Sequence, residues 1–511
     1  MTQTASGGAE TSVDVTATSE VTPTTGSFDS LDPRTGEVVG THPIHDESAV
    51  REAVRLARSG QQWWDELGFA GRKRRLDAWR RVLVSRLDEG AELVSAETGK
   101  PLDDARLELV LVVDHLHWAA ANAAKVLGRR GVSSGVLMAN QAASVEYRPF
   151  GVVGVIGPWN YPAFTPMGSI AYALAAGNAV VFKPSELTPG VGEWLRRTFA
   201  EVVPEHPLFQ VVTGFGDTGA ALCRAHVDKV AFTGSTETGK RVMAACSESL
   251  TPVLVECGGK DALIVDSDAD LHAAAEAALW GAVSNAGQTC IGVERVYVVD
   301  SVADRFVQLV ADRAERLRPG GQPTADLGPI TMGSQVEVIR EHIADAVRRG
   351  GTAVVGGTDS VRPPFVDPVV LTDVPEDSPA VTEETFGPTI VINRVRTADE
   401  GIARANAGRY GLGGTVFSRA RGLELARRMR SGMVAVNSVI AFAAVPALPF
   451  GGVGDSGFGR IHGAEGLREF GRPQAVTRAR FRMPLNPMSF GRSPRTVRRL
   501  VALMRLLRGR R

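Results

Sequence analysis

Three residues of this 511-residue chain sit where ordinary packing does not account for them. Cys290 closes the stretch Asn285-Ala-Gly-Gln-Thr-Cys290, which is polar, contains glycine and makes poor core material. A lone Cys is more often a small buried hydrophobe, but in this setting the thiol is a candidate nucleophile for an electrophilic carbon. Glu256 ends an apolar run and precedes Gly258-Gly259. A carboxylate there is costly to leave unpaired, so it is either paired or has a raised pKa suited to a general base. Asn160 lies between Trp159 and Tyr161. Its amide either donates to a developing oxyanion or shapes the turn before Pro162, and the residues alone leave the two readings equal.

Three glycine-marked segments could hold phosphate. The dinucleotide pattern G-x-G-x-x-G occurs at Gly214-Phe-Gly216-Asp-Thr-Gly219 and at Gly452-Val-Gly454-Asp-Ser-Gly457. With 56 Gly in the chain the pattern alone is weak, and the second copy follows a Pro-rich loop rather than a strand. A third segment, Phe232-Thr-Gly234-Ser-Thr-Glu-Thr-Gly239-Lys240, also passes from strand to helix, where first-turn N–H groups can hold an anion. Sequence physics does not rank the first and third. Lysine usage adds a hint: only seven Lys stand against fifty Arg, and Lys100, Lys183, Lys240 and Lys260 all fall in Gly- or Pro-marked turns.

These residues need elements to hold them. Phe28 to Gly40 reads as a strand and turn. Residues 46–128 are helical in period, with Leu107, Val110, Leu111, Asp114, His115 and Trp118 on one face. Gly131 to Tyr147 reads as a hairpin. From Gly151 short β-branched runs alternate with helical stretches: Val152–Ile156, Ala179–Phe182, Phe209–Val212, Lys229–Phe232, Val253–Val255 and Ala262–Val265. A second series follows Cys290: Arg295–Val299, Thr352–Val355, Thr389–Ile392, Gly414–Phe417 and Gly432–Val436. The alternation predicts two α/β units built on parallel sheets.

Composition bounds the rest. The 57 basic and 57 acidic residues cancel, but twelve Arg and no acid lie between Arg472 and Arg511, so a body of −12 is joined to a tail of +12. An acidic body argues against nucleic acid as a partner. No apolar run reaches the ~18 residues of a membrane span. The first 27 residues are rich in Thr and Ser and lack Lys and Arg, which predicts a disordered leader rather than an export signal. The four Cys show neither paired nor zinc-like spacing, so reduced thiols, no metal and a cytoplasmic location are expected.

The ordered motifs Glu97-Thr-Gly-Lys-Pro101, Pro158-Trp-Asn-Tyr-Pro162, Lys183-Pro-Ser-Glu186, Phe232-Thr-Gly-Ser-Thr236, Glu256-Cys-Gly-Gly-Lys260, Asn285-Ala-Gly-Gln-Thr-Cys290, Glu383-Glu-Thr-Phe-Gly-Pro388 and Pro449-Phe-Gly-Gly452 closely resemble the NAD(P)-dependent aldehyde dehydrogenases of the hydrolytic, non-acylating type, from about residue 28 to 485. The resemblance implies an α/β fold with a Rossmann-like cofactor domain over 28–130 and 150–261 and a second α/β catalytic domain over 262–471. It adds a small β oligomerisation flap over 131–149 and 472–485, and a homodimer or homotetramer. It further implies Cys290 as nucleophile, Glu256 as the base that activates water against a thioester, and Asn160 with the Cys290 N–H as oxyanion donors. The implied cofactor contacts are Ile156, Pro158, Trp159, Lys183, Ser185, Glu186, Gly216, Phe232, Thr233, Gly234, Ser235, Thr238, Gly239, Cys257, Gly258, Glu384 and Phe386, with the pyrophosphate at Gly234–Gly239. Cys257 departs from the Leu usual in the family; a second thiol near Cys290 would bring oxidation sensitivity, and a packing substitution is the plainer reading.

Glu186 predicts NAD over NADP, because a carboxylate accepts from ribose hydroxyls and repels a 2′-phosphate. Relatives acting on succinate semialdehyde use two Arg at positions that here are Gly168 and Ser284. An apolar wall of Tyr161, Phe164, Ile291, Phe442 and Phe450 therefore predicts an uncharged aliphatic or aromatic aldehyde, with a semialdehyde as the alternative. Residues 486–511 remain outside the resemblance. There Ser493-Pro494 starts a basic amphipathic helix, read equally as a peripheral membrane contact or as packing on protein.

Overall fold

The computed structural model describes residues 26–482 and 488–509, so nearly all of the expected leader lies outside the described residues. The described residues fall into two compact units: 26–126 with 149–471, and 127–148 with those from 472 onward.

The larger unit holds two sheets. The first has six strands, in the order Gly457–Phe458, Val253–Cys257, Lys229–Gly234, Val152–Ile156, Ala179–Lys183 and Phe209–Val211. All neighbours are parallel except the edge pair Gly457–Phe458 with Val253–Cys257. The second sheet has seven strands, with Asp261–Val265 between Val293–Val299 and Gly414–Phe417. Strands such as Val152–Ile156 and Asp261–Val265 are buried along their length, which is why they read as unbroken apolar runs. The chain passes from the first sheet to the second through Gly258-Gly259-Lys260, and both sheets belong to the one larger unit. The edge strand Gly457–Phe458 comes from the segment assigned to the catalytic half and completes the cofactor-side sheet.

Most expected strands form within a residue or two. Gly432–Val436 shortens to Ala435–Val436, because a Cβ on Gly432 would lie 1.8 Å from the Gly451 carbonyl oxygen; the glycine serves a close backbone approach, not a ladder. Val369–Thr372 was not expected and fills the second sheet beside Thr389–Val395. The helical period over 46–128 holds, but its apolar face was misjudged. In the helix Leu102–Leu127 the buried side carries Ala105, Leu109, Val112, Leu116 and Ala119, while Leu107 and Val110 are exposed.

The smaller unit contains a three-stranded sheet, Gly471–Ala479, Gln141–Pro149 and Arg130–Val132, followed by the helix Pro494–Arg508. Among the described residues no helix is long and apolar enough to cross a membrane.

Candidate active site

Cys290 and Glu256 meet in one cavity of about 330 Å3 that also takes in Asn160, Thr233, Gly234, Glu384 and Phe386. Asn160, Thr233, Gly234 and Glu256 arrive from the C-terminal ends of strands of the first sheet or the turns after them, whereas Cys290, Glu384 and Phe386 come from loops that precede strands of the second. Glu256 is the penultimate residue of Val253–Cys257 and pairs in register with Thr233 on one side and Gly457 on the other. Its carboxyl is buried and neither oxygen has a hydrogen-bond partner. Burial pushes its pKa up to about 8, and the nearby Thr233 and Cys290 side chains offset only part of that.

The Cys290 loop departs from the helix Leu271–Val283 through a left-handed turn. Asn285 and Ala286 have φ of 53° and 55°, and Gly287 has 74°. A Cβ on Gly287 would lie 2.0 Å from the Gly387 carbonyl oxygen, so only glycine lets the two loops meet. Gln288 pins the turn: its Nε2 donates to the carbonyls of Asn285 (3.0 Å) and Pro329 (3.1 Å), and its Oε1 accepts from the Thr331 N–H (2.8 Å). Thr289 pairs its hydroxyl with that of Tyr161 at 3.0 Å. Burial, then the carboxyls of Glu256, Glu384 and Asp261, hold the Cys290 thiol well above its usual pKa. Those carboxyls are themselves raised, to about 8, 8 and 7, so the cluster is short of positive charge.

Asn160 is buried, and its Nδ2 donates to the Gln288 carbonyl at 2.8 Å. Its own carbonyl accepts from Lys100 Nζ (2.8 Å) and Asn285 Nδ2 (3.1 Å). Lys100 in turn forms a fully buried ion pair with Glu108 at 2.7 Å, and Glu108 Oε1 accepts the N–H groups of Ala163 and Phe164 at the start of the helix Phe164–Ala176. A parallel device lies on the other side. Glu294 pairs with the buried Lys260 and accepts from the Thr385 and Phe386 N–H groups at 2.8 and 3.0 Å, fixing the Phe386 turn. Sequence reasoning flagged both lysines but missed Glu108 and Glu294. The signal for Glu108 was available, since it shares the buried face with Val112 and His115.

The cofactor candidates fall at the strand ends of the first sheet, apart from Glu384 and Phe386, which lie in the loop before Thr389–Val395 of the second. Thr236–Ser247 begins where the strand Lys229–Gly234 ends, and Ser235 caps it by accepting from the Thr238 N–H. A Cβ on Gly239 would lie 3.0 Å from Val255 and 3.1 Å from Cys257 Sγ, so this glycine brings the helix down onto the strand. Cys257 thus faces the helix, on the opposite face of its strand from Glu256; burial pushes its thiol up to about 12, which is the packing reading. Glu384 Oε1 accepts from the Gly259 N–H at 3.0 Å, and its carboxyl lies where a Cβ on Gly258 would be, 2.1 Å away. Lys183 ends Ala179–Lys183, is buried, and lies 3.5 Å from Glu186 Oε2; its pKa is lowered by burial. Pro158 and Trp159 line the cavity, and Trp159 meets Phe386 edge-on at 5.6 Å. Ile156, Ser185 and Gly216 stand at strand ends or, for Gly216, at the start of Gly216–Arg224. The second glycine fingerprint is no nucleotide turn: Gly454–Ser456 is one short turn before an antiparallel edge strand.

On the other side of Cys290 a cavity of about 150 Å3 is walled by Tyr161, Phe164, Ile291 and Phe450, as expected, and by Leu107, Leu111, Trp280 and Ala443. Leu107 and Leu111, apolar residues of the helix Leu102–Leu127, border this cavity rather than the core. Phe442 does not line it: its ring end packs over Gly413, where a Cβ would be 3.0 Å away, and Ala443 takes the expected place. Behind Phe164 and Phe450 lies a buried pair, His115 and His462, with ring centroids 4.1 Å apart.

A model of the aldehyde dehydrogenase family matches residues 21–476. The chain belongs to the aldehyde dehydrogenase family. It is 37% identical over 90% of its length to 4,4'-diapolycopene aldehyde oxidase of a Methylomonas species, 87% of which is covered. It is 34% identical over 88% of its length to the NADP-type succinate-semialdehyde dehydrogenase of Deinococcus radiodurans, with 94% of that chain covered. Among solved structures, the NAD-dependent aldehyde dehydrogenase of Sinorhizobium meliloti superposes with a TM-score of 0.86 at 32% identity, covering 91% of this chain and 93% of the other. As a member of the aldehyde dehydrogenases it is an oxidoreductase acting on aldehydes with NAD or NADP. The arrangement suits that chemistry: a thiol, an unpartnered buried carboxyl and an amide donor border one cavity, and an apolar cavity opens on the thiol's other side.

Proposed function

We propose that this protein oxidises an uncharged, apolar aldehyde to its carboxylic acid with NAD, through a thioester on Cys290. The observation that carries the reading is Glu256, a buried carboxyl with no cation beside it, facing the same cavity as the thiol. In this scheme Cys290 Sγ bonds to the aldehyde carbon as its proton passes to solvent, the carbonyl π pair moving onto oxygen. The oxyanion is held by Asn160 Nδ2 and the Cys290 N–H. A dinucleotide bound here would supply the hydride acceptor. Gly234 and Gly239 let its phosphates approach the Thr236–Ser247 helix start, and Lys183, Glu186 and Glu384 hold its ribose hydroxyls. Loss of hydride leaves the thioester. Glu256 then takes a proton from water, the hydroxide adds to the acyl carbon, and the C–S bond breaks to release the acid and restore Cys290. One aldehyde, one NAD and one water give one acid, one NADH and one proton.

The uncharged substrate is supported by Gly168 and the half-buried Ser284, neither of which can pair with a carboxylate in the apolar cavity. The semialdehyde names of several relatives favour the alternative, and a direct comparison decides. We expect kcat/KM for hexanal or benzaldehyde to exceed that for succinate semialdehyde, with free acid as product even when coenzyme A is added. A preference for succinate semialdehyde, or acyl-coenzyme A as product, sinks the reading. Assembly as a homodimer or homotetramer and a cytoplasmic location belong to the same proposal.

A further inference from the structure

The smaller unit ends in a helix that the oxidation of an aldehyde does not require. Pro494–Arg508 is capped by Ser493, whose Oγ accepts from the Thr496 N–H at 3.3 Å. At 100° per residue, Val497, Leu500, Val501, Leu503, Met504 and Leu507 fall within one arc. Arg495, Arg498, Arg499 and Arg505 fall within the opposite one, and only Leu506 and Arg508 break the partition. In the apolar arc Val497, Val501, Leu503, Met504 and Leu507 are 37–47% exposed, so three turns of apolar surface face outward together. No Asp or Glu occurs between Arg472 and Arg511 to balance the twelve Arg.

We infer that this helix is a docking surface for an anionic lipid bilayer, lying in the plane of the headgroups. Charge complementarity names the occupant. An acidic protein face would engage the Arg arc and leave the apolar arc in water, and a second apolar helix would do the reverse. A headgroup interface covers both at once: the Val/Leu/Met arc enters the acyl boundary while guanidinium groups at its flanks reach phosphate oxygens, which their planar fork matches. A single amphipathic helix binds reversibly, so the chain exchanges between water and membrane. The inference does not depend on which aldehyde is oxidised.

The test uses the full chain and vesicles of phosphatidylcholine with or without phosphatidylglycerol. Co-sedimentation is expected with the anionic vesicles, little with phosphatidylcholine alone, and a fall as salt is raised. Near an anionic surface each Arg contributes roughly fivefold to partitioning, so Arg498→Ser/Arg499→Ser/Arg505→Ser should weaken it about a hundredfold. Val501→Asp/Met504→Asp should abolish it, and both variants should retain the unaltered rate of NADH formation with a soluble aldehyde, which shows them folded. Equal sedimentation with neutral and anionic vesicles overturns the proposal, as does none with either. So does a change in oligomer mass on Val501→Asp/Met504→Asp without vesicle binding by the parent chain, because the arc is then a subunit contact.

Discussion

The imidazole of His462 fills the space above Gly168: a Cβ on Gly168 would lie 2.7 Å from His462 Nε2 and 2.8 Å from the Ile461 side chain. Gly168 sits in the buried helix Phe164–Ala176, at the position where resemblance places one Arg of the semialdehyde enzymes. The absence of that Arg is therefore built into the packing around it. Gly168→Arg alone should overpack the site and cost about 1–3 kcal/mol of stability without raising succinate semialdehyde turnover. Combined with His462→Gly, which vacates the space and suits φ of 61°, it should recover stability and raise kcat/KM for succinate semialdehyde. Steady-state kinetics and chemical denaturation of the single and double variants check both halves; a gain of semialdehyde activity in the single variant contradicts the packing argument.

His462 and His115 also make stability depend on pH. Burial holds His115 near a pKa of about 4 and His462 well below its usual value, with Asp114 pulling His115 back and His115 pushing His462 further down. A backbone contact at Ala443 also raises His115 a little, while among the described residues neither ring nitrogen of His462 has a hydrogen-bond partner. Below about pH 6.5 the unfolded chain binds protons that the folded chain refuses, so these two groups make stability fall as pH drops from 6.5 towards 4. His115→Phe should flatten that part of the curve. Urea midpoints at pH 7, 6 and 5 measure it, and an unchanged slope in the variant would show that the acid sensitivity lies elsewhere.

Glu256 separates the two halves of the reaction. Glu256→Gln should leave a burst of NADH close to one per active site, while the steady-state rate falls about 10²–10⁴-fold for want of the base. Because the base works ionised and its pKa is about 8, the parent's rate of thioester hydrolysis should climb with pH through that region. Stability runs the other way. The folded pKa lies above the unfolded value, so the folded chain binds the extra proton and loses stability as pH rises from about 4.5 to 8. Glu256→Gln should therefore unfold at higher denaturant than the parent at pH 8. Loss of the burst together with the steady state would place Glu256 before hydride transfer.

Glu186 is the test of cofactor choice. Its carboxylate is part-exposed, 3.5 Å from Lys183 at the end of a cofactor-side strand. Replacing it by Ser removes the repulsion of a 2′-phosphate and should raise kcat/KM for NADP roughly tenfold while lowering that for NAD. A parent enzyme that already prefers NADP, as the names of several relatives state for those proteins, would show that the carboxylate turns away from the ribose.

What could be read from the chain followed its physics. Buried parallel strands announce themselves as apolar runs, and the strand-to-helix turn at Gly234–Gly239 carries its own glycine and cap chemistry. Motif resemblance brought Cys290, Glu256 and Asn160 to one family site, and the fold places all three on one cavity. The failures share a cause. Periodicity set Leu107 and Leu111 beside the buried His115 without saying that they border a cavity, because a substrate cavity demands the same residue types as a core. Phe442 and Ala443 are adjacent, and no pattern in a short irregular loop says which one turns inward. Glu108, Glu294 and His462 meet their partners only through contacts 8 to 294 residues apart in sequence, such as Lys100 with Glu108, Glu294 with Phe386 and His462 with Gly168.

The Lys100–Glu108 pair supports a last prediction, because it ties three parts of the site together. Lys100 holds the Asn160 carbonyl, Glu108 holds the first N–H groups of the Phe164–Ala176 helix, and the ammonium lies 4.3 Å from the Tyr161 ring centre. Removing the cation alone strands a buried carboxylate, so Lys100→Met should cost about 3–5 kcal/mol. Glu108→Gln keeps an oxygen for the Ala163 and Phe164 N–H groups but leaves the ammonium unpaired. The double variant Lys100→Met/Glu108→Gln removes both charges and should be more stable than Lys100→Met. Its kcat should nonetheless stay below the parent's, since the Asn160 backbone has lost the donor that fixes it and the oxyanion contact with it. A double-mutant cycle on stability and on kcat reads the two effects separately. If the double variant regained full kcat along with stability, Lys100 would serve the fold alone and Asn160 would owe its placement to Asn285.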